Sequence, residues 1–388
     1  MIYLDNAATT SMDPEIITSL QDYMRVQFAN SGTVYGIGID AKNKIEEAKE
    51  NIAFALGIPS SHNLVFTGCG TESNNLFIKG LCFPDKKTAY LGLEHPSITE
   101  TLLSFKNFDN EPVSLLKFNR QGRLDLSCLP LLKEKKIRLL CLSHVNNELG
   151  TINDPVSLID GMKKESPKTR LFLDGIQAIG KIKLNKSMWS GLAGYSLSAH
   201  KFHGPKGIGL LVYDSNLNLA PQLHGGKQQF GVRAGTLPVP LIMAFAQAVE
   251  LAIARQQKTQ EHFKKLQEHL IEGLNNLEMP ILYNSSCGEF QSPAIVNFSF
   301  PPVEAEVMVH HLEQKEIFVG MGSACSAHSK TPSKILMGIG LTEEQARCSL
   351  RVSFSQANTI KEIEEFINAF AEAYQILFPT FKDRAVGR

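Results

Sequence analysis

The chain has 388 residues and 43% hydrophobic composition, enough to bury one large core and a smaller one. Lys plus Arg and Asp plus Glu both number 39, which excludes a whole-chain field drawing the protein to nucleic acid or an anionic membrane. No stretch reaches the roughly 18 apolar residues of a spanning helix, and Met1 to Asn6 lacks the basic-then-apolar order of a leader, so a cytoplasmic protein is expected.

Asp13 to Phe28 carries Ile16, Ile17, Leu20, Tyr23 and Met24 at helical spacing behind an Asp-Pro cap. Ala29 to Gly38 is a glycine-rich loop whose polar groups suit a pocket or a plain connection equally well. Asp40 to Leu56 reads as an amphipathic helix stopped by Gly57. Asn63 to Thr67 is strand-like and runs into Gly68-Cys69-Gly70-Thr71-Glu72-Ser73, which opens a helix. Strand, glycine turn and helix N-terminus make an anion site, where free N–H groups and hydroxyls can meet a phosphate. Alone this signal is weak, because many such turns bind nothing.

From residue 88 to residue 213, short apolar strands (88–93, 113–118, 137–145, 170–174, 192–197, 208–213) alternate with helical segments. That alternation implies an α/β layer structure with a mainly parallel sheet, in which polar residues just past strand ends line the ligand crevice. Glu94-His95-Pro96-Ser97, Ser143 to Glu148, Asp174 to Gln177 and Ser198 to Lys201 all stand in that position. Four clusters at one edge outweigh the structural role that any single His or Asp would ordinarily have. Asp174 ends an apolar run, where a buried carboxylate needs a cationic partner, and a pyridinium nitrogen supplies one. His95 offers a ring to stack on a flat cofactor and a proton exchanged near neutral pH. Lys201 lies on a tight connection with Ser198 and His200 before it and Gly204 and Gly207 after it. A desolvated lysine amine there loses its proton readily and forms a Schiff base with an aldehyde cofactor.

His224 to Gln229 and Arg233 to Thr236 form a second glycine-rich loop, and Pro238 to Arg255 reads as a buried helix. Polar Gln256 to Gln260 is expected to mark a domain boundary. A helix over 261–277, strands over 294–300 and 317–320 and a last helix over 360–377 suit a smaller α+β domain. The seven cysteines include no C-x-x-C pair, which argues against a disulfide framework or a structural zinc site and for reduced thiols. Cys325 stands out. Gly320 to Thr331 is small and polar, poor core material, and His328 and Lys330 are near enough to lower the thiol pKa.

Taken together and in order, several motifs are highly specific: Tyr3 to Thr10, Phe66 to Asn75, Glu94-His95, His144 to Glu148, Asp174 with Gln177, Ser198 to Lys201, Gly204 to Gly207, Gly235 to Pro238 and Gly322 to Cys325. Through them the chain resembles, nearly end to end, the cysteine desulfurases of the NifS/IscS-like branch of class V, fold-type I pyridoxal phosphate (PLP) enzymes. The resemblance implies an α/β fold, with a large domain on a mainly parallel seven-stranded sheet and a smaller α+β C-terminal domain. It implies an arm over 1–13 joining the small domain, a large PLP-binding domain over 14–257 and a small domain over 258–388 carrying the catalytic cysteine.

Lys201 would then carry the cofactor and move the Cα proton, Asp174 would pair the pyridine nitrogen, and Gln177 would bond the ring hydroxyl. His95 would stack on the ring and handle protons. Gly70, Thr71, Ser198 and His200 would hold the phosphate, with Thr236 reaching it from the second subunit of a homodimer. Asn147, which also meets the cofactor, and Arg351 would receive the carboxylate of L-cysteine, with Asn30. Cys325 would take the sulfur as a persulfide, leaving alanine, and its long-loop setting implies hand-over to an acceptor or iron-sulfur scaffold protein. Ser31, Gly36, Lys227, Gln229 and Cys69 depart from the family pattern, and the C-terminus is shorter than in members that dock a scaffold through an extended tail. A selenocysteine lyase or class V aminotransferase, and a catalytically degenerate binding or scaffold protein, remain as alternatives. No metal, membrane or direct nucleic-acid partner is expected.

Overall fold

The computed structural model describes residues 1–81, 87–105, 113–114, 117–321 and 331–386. Its strands in chain order are β1 (Ile2–Leu4), β2 (His62–Thr67), β3 (Thr88–Tyr90), β4 (Val113–Ser114), β5 (Leu139–Ser143) and β6 (Arg170–Asp174). Then come β7 (Leu192–Ser198), β8 (Gly209–Asp214), β9 (Leu282–Tyr283), β10 (Ile295–Ser299), β11 (Ile317–Met321) and β12 (Ser349–Ser353). Seven of them form one sheet in the order β2-β8-β7-β6-β5-β3-β4. It is parallel from β7 to β4, and only β8 runs antiparallel to its neighbours β2 and β7.

Strands buried on both faces read as continuous apolar runs. Every residue of β5 and β7 is buried. Leu140, Leu142, Leu171 and Leu173 point into one core layer, and Cys141, Phe172 and Leu211 into the layer on the other face. Helix Gly36–Leu56 covers the sheet beside helix Val239–Ala254, burying Ala41, Ile45, Ala48, Ile52 and Leu56 along one stripe. It ends where Gly57 takes φ 68°. Its start lies four residues before the expected one, inside the glycine-rich loop, because the Tyr35 carbonyl accepts from the Gly38 and Ile39 amides. A Cβ at Gly38 would collide with Thr33, so this tight entry requires glycine there.

The other five strands form a mixed sheet in the order β1-β11-β12-β10-β9. Helices Gln256–Asn275 and Ile360–Val386 pack on it around Phe298, Phe300, Phe366 and Phe370. Strand β1 is parallel to β11 and brings the start of the chain into this sheet. The polar run at 256–260, where a domain boundary is expected, is helical. It is the first turn of helix Gln256–Asn275, set at 66° to helix Val239–Ala254, and Gln256 donates through Nε2 to the Ile182 carbonyl at 2.6 Å. Arg255, at the bend, is held by Asp13 (2.5 Å) and Glu15, so the chain turns without a flexible segment.

Candidate active site

A cavity of about 840 Å³ opens at the C-terminal ends of β5, β6 and β7 and is closed on one side by the N-terminus of helix Gly70–Leu81. Ten of the thirteen expected site residues line it: Gly70, Thr71, His95, Asn147, Asp174, Gln177, Ser198, His200, Lys201 and Arg351. Asn30 and Thr236 are exposed and lie outside this wall. Cys325, with His328 and Lys330, falls outside the described residues.

Asp174 is the last residue of β6 and is buried. Its Oδ2 accepts from Asn74 Nδ2 at 2.8 Å and its Oδ1 from the Ile176 amide at 3.0 Å. Among the described residues no lysine or arginine forms an ion pair with it. A buried carboxylate bonded only to neutral donors is a ready partner for a cation entering the cavity. Asn74 also donates to Ser97 Oγ at 2.8 Å, and Ser97 gives its own hydroxyl and amide protons to His95 Nδ1 at 2.8 and 3.1 Å. With Nδ1 accepting twice, the neutral ring of His95 carries its proton on Nε2. Burial lowers the His95 pKa; Asp174 opposes the shift and Lys201 adds to it.

Lys201 follows β7 on a short 3-10 turn, and its Nζ donates to the carbonyls of Ala7 (2.8 Å) and Ala8 (2.7 Å) in the N-terminal arm. Gln177 Nε2 donates to the same Ala7 carbonyl at 2.7 Å, while its Oε1 accepts from Lys181. His200 Nδ1 lies 3.1 Å from Thr9 Oγ1 in the arm. Burial pushes the His200 pKa down to about 4, helped by Lys201, Lys206 and Lys181, so the ring is neutral near pH 7. Arg351, 2% exposed on β12, reaches the Asn147 carbonyl through Nη1 at 3.0 Å and Asp5 Oδ1 through Nη2 at 2.6 Å.

The residues fit PLP on their own evidence. Among the described residues Ser198 Oγ has no hydrogen-bond partner, although it is buried and lines the cavity, a cost repaid by a ligand acceptor. A Cβ at Gly70 would collide with Ile176, so glycine keeps the helix N-terminus open beside Ser198. Asp174 has no lysine or arginine ion pair among the described residues, and Lys201 supplies an amine to the same space.

Some contributors escaped the sequence reading. Lys181 is wholly buried, and burial, then Lys201 and Arg351, hold its amine well below the ordinary lysine range. Its position four residues after Gln177 is the only signal, and a lysine is ordinarily at the surface. The carbonyls of Ala7 and Ala8 carry no side-chain signature at all. Conversely, His144, inside an expected cluster, faces away from the cavity. Its Nδ1 is 2.7 Å from the Tyr195 hydroxyl, and burial pushes its pKa to about 4.

The family model for class V aminotransferases matches residues 2–366. A cysteine desulfurase IscS of Dictyoglomus turgidum is 33% identical over 366 residues, covering 93% of this chain and 91% of the relative. The solved structure of a NifS-like protein superposes with a TM-score of 0.89 at 28% identity, over 97% of this chain and 100% of that one. Another, titled SspA in complex with cysteine, gives a TM-score of 0.77 at 29% identity over 91% of this chain and 99% of that one. The chain belongs to the class V aminotransferase family and is a PLP-dependent enzyme. Within that family it stands with the cysteine desulfurases.

Proposed function

We propose that this protein removes sulfur from L-cysteine, releases L-alanine and carries the sulfur as a persulfide on Cys325 to an acceptor protein in the cytoplasm. The observation that carries this reading is the convergence of Lys201, Asp174, His95 and Arg351 on one cavity in a chain matching cysteine desulfurases over nearly its whole length. The neighbour solved with cysteine supports the substrate.

Gly70, Thr71, Ser198 and His200 would hold the phosphate of PLP and Asp174 and Gln177 its ring, and the bound cofactor would supply an electron sink. Asn147 and Arg351 bind the substrate carboxylate. Lys201 Nζ, which the arm carbonyls keep inside the cavity, moves the Cα proton. His95 presents its Nε2 proton on the same wall. The Cys325 thiolate attacks the substrate sulfur: the S–S bond forms, the C–S bond breaks with its electron pair leaving on carbon, and protonation of that carbon yields alanine. The reading divides the chain into an arm over 1–13, a cofactor domain over 14–257 and a small domain over 258–388.

The working unit is a homodimer. Exposed apolar side chains gather on the loop carrying Val34 (90% exposed), Phe28 and Tyr35, on helix Gly36–Leu56 at Phe54, and at Phe230. Lys49 lies 5.4 Å above the Phe230 ring and joins the last two regions. Patches of this kind mark interfaces. Across it, exposed Thr236 reaches the partner's cavity rather than its own, and Asn30 joins Asn147 and Arg351 at the substrate carboxylate.

Purified protein mixed with L-cysteine tests the reading through its visible spectrum, with alanine and sulfide assayed in the same tube. A cofactor band that shifts, alanine in step with sulfide, and a trapped persulfide lost in Cys325→Ala are expected. A yellow protein inert to cysteine but active on selenocysteine or a keto acid, or one that takes up no PLP, overturns it.

A further inference from the structure

The Arg351 guanidinium is buried, and its environment is unequal on its two sides. Asn147, at one end, belongs to the cavity wall along with Arg351 itself, whereas Asp5 does not. Asp5 Oδ1 meets Nη2 at 2.6 Å from outside that wall, in a pair whose side chains are 2% and 18% exposed. Asp5 is itself fixed: its carbonyl accepts from Tyr3 Oη at 3.1 Å and from the Ala8 amide at 3.0 Å, and it bridges to Ser353, the last residue of β12. Gly320, opposite Arg351 in the β11–β12 register, leaves room for the pair. A Cβ there would stand 2.5 Å from Asp5 Oδ1, 2.9 Å from Nη2 and 3.0 Å from Nε.

We infer that Asp5 is the positioning residue of the carboxylate subsite: it fixes the Arg351 guanidinium from behind, so that the N–H groups left over face an incoming α-carboxylate. The inference rests on the reading that Arg351 receives the substrate carboxylate. A guanidinium has five N–H donors; Asn147 and Asp5 take two, leaving others for a ligand. A planar fork discriminates only when its plane is fixed, because both carboxylate oxygens must meet it together. Asp5 fixes that plane and balances the buried charge. Without it the same cation would turn toward whatever acceptor or water it could reach.

The test compares Asp5→Asn, Asp5→Ala and Gly320→Ala with Arg351→Met in PLP-loaded enzyme, using L-cysteine turnover and spectral titration with L-alanine and cysteamine. Cysteamine keeps the amine and thiol but has no carboxylate. Asp5→Ala should raise KM for L-cysteine and the dissociation constant of L-alanine about tenfold, with a smaller change in kcat and none in cysteamine binding. Asp5→Asn, which keeps a neutral acceptor, should lose less. Gly320→Ala should reproduce the defect with every charge in place. An unchanged or lowered KM in both Asp5 variants, or an equal loss for cysteamine, overturns the inference. If Arg351→Met also fails to separate L-alanine from cysteamine, the carboxylate reading of Arg351 falls instead. The cofactor absorbance of each variant distinguishes these outcomes from misfolding.

Discussion

Glu94 precedes His95, and its carboxyl is fully enclosed, with Ser143 Oγ donating to Oε2. Burial pushes its pKa from 4.5 to about 8; Ser143 opposes the shift, and Asp174 adds to it. The native protein therefore keeps a proton between pH 4.5 and 8 that the unfolded chain has released. Stability from this group is complete below pH 4.5 and is lost as pH rises toward 8. Between pH 5.5 and 8.5 the wild type should lose about 3 kcal/mol more than Glu94→Gln in urea unfolding. Equal slopes would show that Glu94 ionises normally. The titration was not legible beforehand. Glu94 could be placed at a strand end from the sequence, as could Asp174 and Lys201, because apolar runs mark where strands stop. What encloses a carboxyl, or buries Lys181, is set by residues far away in the chain.

The loop after β8 shows what an element gains from one departure from the family pattern. Strand β2 is an edge of the seven-stranded sheet, and Gln229 satisfies it with both halves of its amide. The Phe66 amide donates to Oε1 at 2.6 Å, and Nε2 donates to the Phe66 carbonyl at 2.8 Å. The amide thus satisfies the edge at Phe66, whose main-chain groups would otherwise be left open there. Holding this contact places Gln229 and Phe230 at φ 48° and 62°, in the left-handed region. Glu72 braces the same loop, accepting from Arg233 Nε at 2.8 Å and from the Gly68 amide at 2.6 Å in the phosphate turn. A carboxylate at 229 would still accept from the Phe66 amide but would repel its carbonyl. Gln229→Glu should cost about 1–3 kcal/mol in thermal unfolding and speed proteolysis at Lys227. An unaltered melt would mean the staple contributes nothing. The loop was legible as a polar glycine-rich segment, but its staple was not, because side-chain-to-backbone bonds leave no periodic trace. The parallel strands were found for the opposite reason, as near-continuous apolar runs. β1 and β12 were missed because only pairing across the chain defines them.

At the scale of the whole molecule, the exposed apolar face should govern assembly. A charge there must be desolvated in any dimer, so Val34→Asp or Phe54→Asp should weaken association about 100-fold, seen by light scattering across a dilution series. Activity should fall with it, because in the proposed homodimer Thr236 would reach the cavity of the other subunit; a fully active monomer would contradict that proposal. The two sheets were foreseeable in outline, yet the way they share one cavity was not. That sharing runs through the arm: Asp5 meets Arg351, Ala7 meets Gln177 and Lys201, and Thr9 meets His200. These contacts join residues up to 346 positions apart. A growing chain holds Asp5, Ala7 and Thr9 long before β11 and β12 have been made, and cannot seat Asp5 on Arg351 until they have. Catalytic competence is therefore a late event of synthesis, and a ribosome stalled before Arg351 would display a cofactor domain with its floor missing.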